Sequence, residues 1–238
     1  MKPVNRLLTL LSAITVVITV ERASPTTKVL LQPYSFLHLH EVVQIILITA
    51  SSVVVSFLLL RLISRNFEEL KTSSGLILGI VFILGTYFYA TGNGVHEVGS
   101  FTFNEFCNTK HFTSTVCGSM YFNDYYFGNT LYFLGLGLSN LALVLLELRR
   151  PDETMSAGDS WVTIGNGVLL ALTFFAYDAF DRVAVGLVAT LIYAVTFDVL
   201  LLRRRVAYRA LPFTLYSAFG FTVAGILAIP VRMALQPG

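Results

Sequence analysis

Charge is scarce in this chain. Sixteen Lys and Arg and 14 Asp and Glu make up 13% of 238 residues, against about 25% in a soluble domain. Hydrophobic residues reach 55% and the mean hydropathy is +0.72. An ordinary soluble domain is thereby excluded. The apolar runs are long enough to cross a hydrocarbon core of roughly 30 Å, and backbone in lipid must satisfy its own polar groups. The expected fold class is all-α: a polytopic transmembrane helical bundle in one membrane domain.

Other absences narrow the function. The four lysines (Lys2, Lys28, Lys71 and Lys110) all lie in tails or loops, so no membrane helix supplies the Schiff-base lysine of a retinal protein. No P-loop, Ser-x-x-Lys, Gly-x-Ser-x-Gly or dinucleotide fingerprint occurs. Basic residues form short clusters beside apolar runs, a pattern of membrane topology rather than of nucleic-acid binding. Histidine is absent after His111.

Apolar runs lie at 4–20, 42–60, 75–92, 130–148, 162–180, 183–202 and 211–230. Seven helices is the direct count. Six would follow if the first run were a cleaved signal peptide or lay at the interface. That run ends at Glu21-Arg22-Ala23-Ser24-Pro25 without a small-x-small cleavage site and is read as retained. With the N-terminus inside, inner segments hold 11 of the basic residues and outer segments 5. By the positive-inside rule the long third loop and C-terminus are expected outside, and the chain is expected to be an integral protein of the plasma membrane.

That third loop, taken as 93–129, holds the only two cysteines, Cys107 and Cys117. On the more oxidising side of the membrane they are expected to form a disulfide. The loop also carries many Phe and Tyr residues, too much apolar area to leave in water. It is therefore expected to fold over the bundle as a cap.

All four histidines share the outer side. In LHLHEVVQ, His38 and Glu41 fall on one helical face, as do His40 and Gln44; an extended His-Leu-His would also point both rings one way. Asn93-Gly-Val-His96-Glu97 closes the third run, where Asn93 can reach the His96 ring. Asn123-Asp124 precedes the fourth run, and Asp178 closes the fifth. This is not an HExxH motif. The expected ligands of a divalent metal, Zn above all, are His38, His40, Glu41, His96 and Asp124, supported by Asn93 and Asn123. Glu97 and Asp178 are the candidate catalytic acids and bases.

Two functions follow. One is a metal-dependent, hydrolase-like membrane enzyme acting on a lipid or amphipathic substrate at the outer interface. The other is a non-enzymatic metal-binding sensor, transport or accessory protein. Membrane lipids are the expected partners of either.

Overall fold

A computed structural model describes residues 1–151, 153–203 and 208–235. Expectations resting on Arg204, Arg205 and the C-terminal Gly238 lie outside these residues. Among the described residues, seven helices are long and apolar enough to cross a membrane: α1 (Pro3–Arg22), α2 (Leu39–Ile63), α3 (Ser73–Phe106), α4 (Thr115–Arg149), α5 (Ala157–Phe180), α6 (Val185–Arg203) and α7 (Pro212–Leu235). They form a polytopic all-α bundle whose lipid-facing surfaces carry Val, Leu and Ile.

Local sequence sets the helix starts. Pro3 opens α1, where a missing N–H costs nothing. Thr72, Ser114 and Ser156 cap α3, α4 and α5 by accepting from backbone N–H groups in the first turn. Pro212 opens α7, but its cap comes from another helix. The buried Glu147 carboxylate, in the last turns of α4, accepts the N–H groups of Phe213 (2.9 Å) and Thr214 (2.7 Å). This pins α4 to α7 with a negative charge on a helix N-terminus.

The first apolar run belongs to the bundle. Val4, Asn5 and Leu8 are buried in it. Asn5 donates to the Asp159 carbonyl (2.8 Å) and accepts from Thr163 (2.8 Å), while Asn166 donates to Thr9 (3.1 Å). These bonds tie α1 to α5 near their N-terminal ends. From Thr15 and Leu169 onward the two helices line a cavity.

The segment 93–129 differs from the expectation of one long loop. Helix α3 continues to Phe106 and α4 already begins at Thr115, so only 107–114 is non-helical at this turn. Polar side chains after Tyr89 do not end the helix, because its hydrogen bonds are made within the backbone and those side chains face other helices. The disulfide is present between Cys107 and Cys117. Phe103, fully buried, packs against Phe112, Tyr121 and Tyr125, giving the turn a small aromatic core of its own.

Helices α3 and α4 pack most closely, through glycines seven residues apart. A Cβ added to Gly92 would sit 2.7 Å from Tyr132 Cα, and one on Gly135 2.7 Å from Tyr89 Cα. A Cβ on Gly128 would sit 2.7 Å from His96 N, and one on Gly99 2.9 Å from Asp124 N. Near-contact of the backbones is what sets His96 against Asp124. Gly94, by contrast, faces open space.

Candidate functional site: a polar cluster at the mouth of a membrane cavity

The C-terminal ends of α1 and α3 and the N-terminal ends of α2 and α4 meet at one end of the bundle. Two π-type turns lie there, Val43–Ile48 in α2 and Asn123–Gly128 in α4. Such turns shift the register of a helix by one residue and often accompany functional sites. Here one precedes the inward face of α2 and the other contains Asp124.

Arg22, the last residue of α1, donates to Glu97 of α3 at 2.7 Å. Glu97 is buried, and its second oxygen lies 3.9 Å from His40 Nε2. His40 also approaches Glu41 through Nε2 (3.4 Å) and Glu21 through Nδ1 (3.1 Å). Glu21 accepts from Gln44 (3.0 Å) and from the Thr26 hydroxyl (2.7 Å), while His38 Nδ1 lies 3.3 Å from Glu41. The end of α1 is thus tied to α2 and α3 by a network of carboxylates, imidazoles and one guanidinium.

His96 stands beside this network. Its Nδ1 lies 2.9 Å from Asp124 Oδ1 and 3.2 Å from the carbonyl oxygen of the same residue. Both partners of Nδ1 are acceptors when the carboxyl is ionised, so Nδ1 carries a proton, and in the neutral ring the lone pair is on Nε2. Asp124 therefore orients the ring and fixes its tautomer. Outside the helices, the Asp181 carboxyl is pushed above the usual carboxylate range by burial, against the lowering effect of the Arg182 N–H.

Several expected positions differ. Asn93 does not hold the His96 ring; it donates to Thr49 Oγ1 at 2.7 Å and to the Gln44 carbonyl at 3.4 Å, bracing the π-type turn of α2. Asn123 is exposed. Asp178 is buried but lies against α6, where a Cβ on Gly186 would come within 2.6 Å of its Oδ1. It does not line the cavity that His96 lines. Arg232 donates to the carbonyls of Asp178 (2.9 Å) and Asp181 (3.0 Å), closing the C-terminal end of α5. His111 is exposed on the turn and Glu105 on the last turn of α3. Among the described residues, no group of three or more His, Cys, Asp or Glu side chains is placed to hold a metal ion.

His96, Glu97, Arg22, Gln44 and Asn93 line one end of a cavity of about 600 Å³. The rest of its wall is largely apolar, from Ile18, Ile48, Leu169, Leu172, Phe174 and neighbours. Val16 and Val20 of α1 and Leu172 of α5 also line it and are exposed on the lipid-facing surface. The cavity therefore opens sideways, between α1 and α5, where those helices part. Its size falls within the usual range for a small-molecule site.

Glu21 and Arg22 escape a reading of the sequence because they look like the polar stop of a membrane helix. The available signal is that a carboxylate and a guanidinium end an apolar run on the same side as every histidine. Comparison with protein-family models, curated proteins and solved structures finds no match to this chain.

Proposed function

We propose that the protein is a hydrolase-like membrane enzyme that takes an amphipathic molecule sideways from the lipid and acts on its polar head. The observation that carries this reading is the cavity itself: apolar walls open to lipid, and at one end His96 with its ring set by Asp124. The distribution of Lys and Arg supports an orientation with this end outside and the N-terminus inside.

The chemistry is general acid–base catalysis. His96 Nε2 removes a proton from water as the oxygen attacks an ester or amide carbonyl of the bound head. The carboxylate of Asp124 stabilises the imidazolium, which then returns the proton to the leaving group. Arg22 supplies N–H donors toward the developing oxyanion, and Glu97 holds that guanidinium in place. The low-dielectric surroundings strengthen each of these interactions.

A divalent ion is a second source of the same hydrolytic chemistry. The close approach of His40 to Glu41 (3.4 Å) and Glu97 (3.9 Å) favours it. Those side chains would have to leave their present pairing to converge on an ion. Elemental analysis of protein purified without chelator separates the two: a stoichiometric ion shifts the chemistry to metal, and its absence leaves it with His96.

The main test combines mass spectrometry of co-purifying amphiphiles with turnover of ester and amide amphiphiles in nanodiscs. Leu172→Trp at the opening should reduce both bound amphiphile and turnover. His96→Asn should retain binding and reduce turnover by about 10²–10⁴-fold. Turnover unaffected by His96→Asn refutes the catalytic role. Binding by a parent protein that shows no turnover on any substrate supports the non-enzymatic alternative instead.

A further inference from the structure

A second cavity, of about 120 Å³, continues from the first. The two share Thr15, Ile18, Tyr89, Tyr132, Thr173 and Phe174 in their walls. The deeper one then runs to Leu59, Leu143 and Phe213, near the opposite end of the bundle. Gln44 lines the outer part and Leu59 the inner, on the same helix α2. At 1.5 Å per residue they are about 22 Å apart along the axis. One leaflet accounts for about half of a hydrocarbon core of roughly 30 Å. The combined slot is therefore longer than a leaflet is deep.

Several of its polar side chains are already occupied. Ser139 donates to the Gly135 carbonyl (2.9 Å) and Asn140 to the Leu136 carbonyl (2.8 Å), within their own helix. Thr15, Thr86 and Thr173 likewise donate to carbonyls of their own helices, and most of the rest of the wall is aliphatic and aromatic. Where the cavities join, the Tyr89 and Tyr132 rings lie with centroids 5.0 Å apart. A slot with one polar end, a side opening and a narrow apolar extension fits one extended chain better than a branched pair.

We infer that the two cavities form a single acyl slot for a single-chain amphiphile of full leaflet length, with the deeper cavity setting the preferred chain length. This rests on the proposed binding of an amphiphile with its head at His96, and it names the chemical class. The head occupies the Arg22–Glu97 end. The chain passes alongside the paired Tyr89 and Tyr132 rings, against Thr15, Ile18, Thr173 and Phe174, and its terminal methyl lies towards Leu59 and Leu143. Ser56, which lines the deeper cavity but not the larger one, determines how much of that chain is admitted.

The test measures binding of a graded chain-length series of lysophospholipids to purified protein in detergent-free nanodiscs. For the parent, affinity should rise with chain length up to the full slot. Ser56→Phe fills the deeper cavity and should weaken the longest chains about tenfold while leaving short chains unchanged, the effect of losing about two buried methylene groups. Leu143→Ala enlarges the same space and should shift the preference to longer chains, giving a second variant should Ser56→Phe misfold. A parent that binds the series with affinity independent of chain length, or a Ser56→Phe variant with the parent's profile, overturns the slot. If no member binds the parent, the amphiphile-binding function itself falls, and the slot with it.

Discussion

Replacing Gly92 by Ala tests the close packing that sets His96 against Asp124. The new Cβ would lie 2.7 Å from Tyr132 Cα and 2.8 Å from the Gly128 carbonyl oxygen, where ordinary contact begins at 3.4 Å. Both neighbours are backbone, so no side chain can swing aside. Helices α3 and α4 must separate by more than half an ångström along much of their contact, which includes Gly85, Gly99, Gly128 and Gly135. Overpacking of this kind costs about 1–3 kcal/mol. Gly94→Ala is the internal control, since its Cβ meets nothing within 4 Å. There Ala should stabilise by up to about 1 kcal/mol through helix propensity alone. Unfolding in denaturing detergent, followed by the helical circular-dichroism signal, measures both variants against the parent. The expected order is Gly94→Ala at or above the parent and Gly92→Ala well below it. Equal stability of the two alanine variants would refute the backbone-contact argument.

Two further predictions concern the same end of the bundle. Arg22→Ala leaves the buried Glu97 carboxylate without its guanidinium and should lower stability by about 1–3 kcal/mol; adding Glu97→Gln should recover part of that loss, as a double-mutant cycle in the same unfolding assay would show. Cys107→Ala removes the bridge to Cys117 and should cost about 2–3 kcal/mol for a loop of this length, read as a lower melting temperature. An unchanged melting temperature for Cys107→Ala would mean that the aromatic packing around Phe103 already holds the turn.

Much of the architecture was legible from composition alone. Apolar runs too long for anything but lipid dictate seven helices, because a spanning backbone has no other way to satisfy its N–H and C=O groups. The Cys107–Cys117 pairing was legible too, since the two cysteines share one short turn. The helix ends were not. Asn93, His96 and Glu97 read as a terminus, yet α3 passes through them to Phe106, since polarity shows which way a side chain faces and not where the backbone hydrogen bonds stop.

The gathering of histidines and acids at one end follows from the alternating direction of the spans, and sequence order determines it. Which of them touch depends on how the helices cross. His96 meets Asp124 because Gly99 and Gly128 let α3 and α4 approach backbone to backbone, while Asp178 packs against Gly186 of α6. Arg22 and Glu21 join the site only because α1 leans on α2 and α3 at one end and on α5 at the other. The cavity between α1 and α5 is a property of that splay. Non-local packing sets it, and no local pattern of residues encodes an empty space.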